Sequence, residues 1–327
     1  MVRSLVAAVL TAALVSVLSA CGHSSAPSAA DYPSQDLDYV VPYSPGGSTD
    51  PVGREFSRLL AGELGTGATV TNRPGGDETI GVSSVVEAAP DGYTLGLTSA
   101  TGIIVQPLVN DQLSYREPSD FTSVVKMVEA PNALLVAAGS PFRSLVDFVE
   151  AARRNPGQLR VGTTGRLTNN TFALLALEKQ AGIDLNIVPF SGGAGEAVRA
   201  VLGGQVEAAI PTASAQLGLV ESGELRGLAH TGRPAYNEFL PGAVSFGDAG
   251  FDIPFSSDYL TIAPNGVPPA VAERLTAAAV TVAQSPEWAR WCTENGYLAD
   301  PMSGPELDAW IQKSIDASRE AIRLSEG

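Results

Sequence analysis

The sequence predicts an α/β protein of two domains, each a largely parallel sheet flanked by helices, with a ligand cleft between them. Three observations lead there. Short apolar runs alternate with segments of helical spacing, which implies parallel strands joined by helical crossovers. The alternation runs once over residues 37–98 and restarts at residue 144. Strand ends repeatedly carry Gly, Ser and Thr just before a helix start, and ligands of open parallel sheets sit outside the carboxyl ends of the strands. Two such sheets facing each other would enclose a ligand. A length of 327 residues suits two domains.

The elements follow in order. A strand at 37–41 leads to a helix at 51–64, where Val52, Phe56, Leu59, Leu60 and Leu64 share one stripe. A strand at 68–72 leads to a helix at 78–88, and a strand at 93–98 ends in Thr98-Ser99-Ala100-Thr101. Strands at 124–128 and 133–137 follow, the second expected to run between the domains. In the second half, a helix at 144–154 precedes a strand at 159–162 and the loop Thr163-Thr164-Gly165-Arg166-Leu167-Thr168-Asn169-Asn170. Next come a helix at 171–181, a strand at 187–189, the loop Phe190-Ser191-Gly192-Gly193 and a helix at 196–202. A strand at 208–210 ends in Pro211-Thr212, and another follows at 225–230. Residues 232–255 read as irregular. A last strand at 259–263 precedes helices at 269–283, 286–295 and 304–325. Domain bounds are expected at 36–134 with about 258–303, and 135–257 with about 304–327.

The first loop, Pro42-Tyr43-Ser44-Pro45-Gly46-Gly47-Ser48-Thr49-Asp50, has two readings. A glycine pair between strand and helix lets the backbone approach a bound group closely. The first amides of the helix then have no partner inside it and suit an anion. The other reading is an ordinary turn, with Asp50 as N-cap and Pro51 opening the helix.

Before the first strand, Arg3 and the apolar run 5–18 lead to Leu18-Ser19-Ala20-Cys21, which reads as a bacterial lipoprotein cleavage and acylation box. The run is too short for a membrane span. Residues 1–20 are therefore expected to be a signal peptide, Cys21 the lipidated residue, and 21–35 a tether. A plain secretory signal would leave the Cys21 thiol unexplained. The second cysteine, Cys292, lies in a Trp-rich helix and reads as a buried structural thiol.

Composition narrows the function. With 20 Lys and Arg against 35 Asp and Glu, the net charge of −15 argues against nucleic acid as a partner. Only His23 and His230 could serve as histidine acids or bases, and His230 reads as a surface or core residue. No cluster has metal-ligand spacing, no cofactor motif is present, and neither a Walker loop nor a Gly-x-Ser-x-Gly elbow occurs. Asp50, Asp91 and Asp258 have no evident partner in the sequence. Binding is thus expected rather than catalysis. Trp288, Trp291 and Trp310 read as packing residues. Arg73 is expected to pair with a neighbouring carboxylate, and Asp91 to bond backbone amides in a turn.

These residues resemble the tripartite tricarboxylate transporter substrate-binding proteins, also called Bug receptors. Residues 41–50 with Arg54 are similar to the opening signature of that family. Asn72-Arg73-Pro74-Gly75-Gly76 with Ile80-Gly81, and Ala89-Pro90-Asp91-Gly92-Tyr93-Thr94-Leu95, match the next blocks. So do Leu202-Gly203-Gly204-Gln205-Val206-Glu207, the run 223–229 and Ala263-Pro264-Asn265-Gly266-Val267-Pro268. Six blocks in order cover nearly everything after the tether.

The resemblance implies a periplasmic-binding-protein-like flytrap outside the cytoplasm, a small organic carboxylate as ligand and membrane transporter subunits as partner. A monomer is expected. Carboxylate donors would be Tyr43, Ser44, Pro45, Gly46, Gly47, Ser48, Thr49 and Asp50 with Thr98, Ser99, Ala100 and Thr101 from one domain. Thr163, Thr164, Gly165, Arg166, Thr168, Asn169, Phe190, Ser191, Gly192 and Thr212 would come from the other. Two departures stand out. The family often has Asp after the strand at 208–210, where this chain has Pro211 and Thr212. Arg166 either pairs a second carboxylate or faces solvent. Rival readings are an envelope enzyme resting on Asp50 or Asp258, and a sensor or interaction protein.

Overall fold

The computed structural model describes residues 32–190 and 193–325. The expectations for the signal peptide, Cys21 and the tether to residue 31, and those for Ser191 and Gly192, lie outside the described residues.

In chain order the first half contains β1 (Leu37–Val41), α1 (Thr49–Leu64), β2 (Ala68–Asn72), α2 (Thr79–Val86) and β3 (Thr94–Ser99). A π-turn, Thr101–Val105, then runs into α3 (Gln106–Val109) and β4 (Phe121–Glu129). Next are β5 (Ala133–Ala137), α4 (Leu145–Arg154), β6 (Arg160–Thr163), α5 (Asn169–Ala181), β7 (Asn186–Pro189) and α6 (Ala194–Leu202). Then follow β8 (Ala208–Ala209), α7 (Leu217–Glu221), β9 (Leu225–His230) and β10 (Val244–Ser245). The chain closes with β11 (Tyr259–Pro264), α8 (Pro269–Ala283), α9 (Pro286–Glu294), β12 (Leu298–Met302) and α10 (Gly304–Ser325).

Two six-stranded sheets result, ordered β12-β4-β11-β3-β1-β2 and β10-β9-β5-β8-β6-β7. In each, three neighbouring strands are parallel: β3, β1 and β2 in one, β8, β6 and β7 in the other. Both then continue through an antiparallel strand, β11 or β5. The inner parallel strands β3 and β6 are largely buried, whereas the edge strands β2 and β7 are only partly so. In the first sheet, Val40, Leu260 and Ile262 pack with Leu307 and Ile311 of α10. In the second, Val161, Leu134 and Val136 pack with Phe148 of α4 and Phe172 of α5.

The chain crosses between sheets at Ala130–Asn132 and returns through residues 247–258. The two crossings are tied together. Ala130 N–H donates to Asp258 Oδ1 at 3.1 Å, Ser257 N–H to Ala130 O at 2.9 Å, and Asn132 Nδ2 to Phe255 O at 2.8 Å. The expectation that strand 133–137 itself runs between the domains is corrected. β5 is a full member of the second sheet, paired with β8 and β9, because its apolar residues are buried there on both faces. α10 is shared: Leu307, Ile311 and Ile315 join the first core, Ala321 the second. No helix among the described residues is long and apolar enough to cross a membrane.

Candidate functional site

The loops at the strand ends hold the residues singled out from sequence. Tyr43 to Gly47 form an exposed loop after β1, and Gly46 has φ of 89°, a conformation that glycine adopts without steric cost. The expectation that Asp50 caps the helix is corrected. The N-cap is Ser48, the helix begins at Thr49, and Pro51 is its third residue. Asp50 instead ties the loop down. Its Oδ2 accepts from Arg54 Nε at 2.9 Å, and its Oδ1 from Asn72 Nδ2 at 2.8 Å. Asn72 Nδ2 also donates to Tyr43 O at 2.9 Å. Burial pushes the Asp50 carboxyl up, but the bonds from Arg54 and Asn72 outweigh it and hold it below the usual carboxylate range.

Helix starts separate into two kinds. At α4 and α9 a serine caps in the usual way, Ser144 accepting from Asp147 N–H and Ser285 from Trp288 N–H, both at 3.1 Å. At α1, Ser48 has helical φ and ψ and makes no side-chain cap bond. At α5, the N-cap Thr168 makes none either, its hydroxyl turning to Gly165 O at 3.4 Å. At α6 the N-cap is Gly193, which has no side chain to offer. These three helices begin at the carboxyl ends of β1, β6 and β7 with no N-cap side chain bonding their first turn; α2, α3, α7 and α8 lack such a cap as well.

The hydroxyls near them are committed to the protein. Thr49 Oγ1 donates to Tyr259 Oη at 3.1 Å, and Thr164 Oγ1 to Asn170 Oδ1 at 2.7 Å. Thr163 Oγ1 and Thr171 Oγ1 both turn to Gly165 O, and Thr101 N–H donates to Ser99 Oγ at 3.1 Å. Asn169 Nδ2 donates to Ser256 O at 2.8 Å, and Phe190 N–H to Thr163 O at 3.0 Å. Thr212 bridges to Asn132, with its Oγ1 3.5 Å from Asn132 Oδ1. Arg166 is exposed, and among the described residues no ion pair or hydrogen bond engages its guanidinium.

The two domains meet at these loops in two places. Ala100 and Asn169 line one cavity of about 370 Å³. Tyr297, just before β12, donates its hydroxyl to Ser48 O at 2.5 Å, while the adjacent Gly296 O accepts from Tyr236 Oη of the second domain at 2.7 Å. The rest of the cavity lining mixes apolar residues such as Phe255 and Trp310 with charged residues absent from the expected set. Lys126 Nζ lies 2.8 Å from Asp258 Oδ2 and also pairs with Asp300, and Arg233 pairs with Glu129. Burial pushes the Lys126 ammonium down, but the carboxylates of Asp258 and Asp300 outweigh it and the net shift is upward. Burial, and then the Asp258 charge, push the Glu129 carboxyl up. The idea that Asp258 lacks a partner is thereby corrected. A wider depression of about 500 Å³ beside Arg233 and residues 245–254 contains none of the expected site residues.

Several other expectations resolve on the structure. Asp91 Oδ1 accepts from Tyr93 N–H at 3.0 Å, as a turn aspartate should. None of the ion pairs among the described residues involves Arg73, contrary to expectation. His230 is buried beside the Tyr236 ring, its Nε2 2.6 Å from Asn237 Oδ1, and burial lowers its pKa. Cys292 is a buried free thiol.

A buried acid also escaped the sequence reading. Glu78 is 1% exposed, and its carboxylate sits at the carboxyl end of β3. It accepts from Tyr43 Oη at 2.8 Å, Thr98 Oγ1 at 2.9 Å, Ser99 N–H at 2.8 Å and Ser99 Oγ. Burial raises its pKa and the Ser99, Tyr43 and Thr98 bonds oppose the rise. An acid at a helix start looks ordinary in sequence, and only the preceding Gly75-Gly76 pair hints at an unusual turn.

The sequence model of the tripartite tricarboxylate transporter family receptor, TctC, matches residues 52–325. The chain belongs to this family. BugT of Bordetella pertussis is 30% identical over 271 residues, 79% of this chain and 80% of that one. Among solved structures, a TctC solute-binding protein from Polaromonas, without ligand, is 26% identical with a TM-score of 0.73, covering 89% of this chain and 99% of that one. MatC of Rhodopseudomonas palustris, with bound malate, is 25% identical with a TM-score of 0.73, covering 89% of this chain and all of the other (100%). The fold of this TctC-family receptor is therefore the two-domain fold of periplasmic binding proteins.

Proposed function

We propose that this TctC-family receptor works outside the cytoplasm, binds a small organic carboxylate between its domains and delivers it to a transporter of the tripartite tricarboxylate type. Cys21, acylated, would anchor it to the cell membrane as a monomer. The observation that carries the reading is the set of three helix starts, α1, α5 and α6, without side-chain caps at the strand ends of both domains. Such amides hold an anion without a countercharge of their own. Gly46 and Gly47 let the first loop close on it, and Arg166 supplies a charge from the second domain. MatC with malate lends the ligand class support.

Closure follows from the division of the site. Each domain donates half of the contacts, so ligand favours the closed arrangement by the free energy of the second half. Catalysis has little to work with. Asp50 is held by Arg54 and Asn72, and Asp258 by Lys126. Neither is placed to exchange a proton with a substrate.

Calorimetry of the purified chain against a panel of mono-, di- and tricarboxylates tests this, with product analysis of the same mixtures. The expected result is saturable binding of at least one acid with no turnover. Absence of binding across the panel, or conversion of any acid, overturns the reading. Cys21→Ser should release the protein from membranes or block its processing.

A further inference from the structure

The Glu78 carboxylate is bonded the way a bound ligand's carboxylate would be. A carboxylate offers about four lone-pair sites. Here all four are taken, by the Tyr43 and Ser99 hydroxyls on Oε1 and by the Thr98 hydroxyl and Ser99 N–H on Oε2. Tyr43, Thr98 and Ser99 are among the residues that the sequence marks as ligand donors. Three of the first domain's expected donors are thus already holding an acid, and it belongs to the protein.

The backbone is bent to deliver it. Asp77 and Glu78, with φ of 48° and 79°, are the non-glycine residues with positive φ among those described. They follow Gly75 and Gly76, also at positive φ, so four consecutive residues turn the same way. Such conformations persist in ordinary residues only where the surroundings hold them. The far side of the cradle is closed by Gly102, where a Cβ would come within 2.8 Å of Glu78 Oε2 and 2.6 Å of Thr98 Oγ1. A side chain at position 102 would displace the acid.

We infer that Glu78 is a specificity-determining residue: it fills the first domain's carboxylate cradle, so the receptor takes monocarboxylates and rejects the matching dicarboxylates. This deepens the carboxylate-receptor reading and rests on it. A ligand's single acid group goes to the helix starts of α1, α5 and α6. A second acid group directed at β3 meets a like charge and finds its donors occupied. The far end of the ligand is therefore uncharged or a hydrogen-bond donor.

The test uses the full chain and its Glu78→Gly variant, since glycine adopts the local φ without strain and so retains the fold. Glu78→Gln is the second variant, keeping shape while removing charge. Acetate is the first probe. In thermal unfolding it should stabilise Glu78→Gly saturably, and by more than wild type, by filling the vacated cradle, with chloride at equal ionic strength inactive. Equal responses of wild type and Glu78→Gly to acetate overturn the assignment of the cradle. Matched pairs are the second probe: butanoate with succinate, hexanoate with adipate, lactate with malate. For a pair that binds, wild type should favour the monoacid at least tenfold. Both variants should cut that preference at least tenfold by gaining affinity for the diacid. A wild type that holds a diacid as tightly as its monoacid, or a folded variant with the same ratio, overturns the selectivity. If acetate fills Glu78→Gly but no chain binds any acid of the panel, the carboxylate-receptor reading fails, and the selectivity falls with it.

Discussion

Asp50 opens a helix yet spends its charge on Arg54 and Asn72, and through Asn72 on the carbonyl of Tyr43. It fixes the loop rather than the helix. Because its folded pKa lies below the ordinary value of about 3.9, its contribution is complete above that pH and is lost as pH falls through the folded value. Asp50→Asn should cost about 1–2 kcal/mol at pH 7, moderated by the half-exposed Arg54. Urea titrations should show the difference vanishing toward the acid limb; a constant difference down to pH 2 would contradict the linkage. At Gly47 the space around a new Cβ is empty, so Gly47→Val should fold normally and lose carboxylate affinity by at least tenfold, about 1.4 kcal/mol. Unchanged affinity there would put the site elsewhere. The loop glycines were legible because turn chemistry is local. The pairing of Lys126 with Asp258 was not, since Lys126 lies in β4 and Asp258 just before β11, and the chain between them passes through the other domain.

Among the elements, the alternation of strand and helix gave every long helix and all but the least regular strands. β12 escaped because Leu298-Ala299-Asp300-Pro301-Met302 has a proline and no two-residue apolar period; it pairs only at the edge, beside β4, with a shifted register. The π-turn after β3 escaped too, as its residues Thr101–Val105 are too few to show a helical period. The helix that precedes β12 shows how one side chain seats an element. Trp288 of α9 is fully buried, meets Phe56 of α1 edge-on at 5.1 Å, stacks on Trp291 and donates Nε1–H to Met127 O at 3.2 Å. Trp288→Ala should destabilise by about 3–5 kcal/mol. A loss below 1 kcal/mol in chemical unfolding would mean that α9 does not lean on the first sheet through this ring.

At the scale of the molecule, the sequence conveyed two repeats of a fold but not what joins them. Lys126 is nearly inaccessible, and its two carboxylate partners come from separate segments, Asp258 where the chain returns and Asp300 in β12. Removing the cation leaves both acids facing each other in a sheltered place. Lys126→Met should therefore cost about 3–5 kcal/mol. A change within 1 kcal/mol in equilibrium unfolding would show the cluster to be well hydrated. Asn132, Ser257 and Phe255 bind the two crossing strands into one ribbon, and α10 spans from the first core to the second as a separate member. A body hung from a single thread can both swing and spin. One held by a ribbon and a stiff rod at some distance from it loses the spin, because twisting would have to shear the rod across one of its seats. The motion left is a rocking in a single sense, so the proposed closure would bring the carboxyl ends of the two sheets together along one path and carry a ligand on one set of helix starts in register to the other.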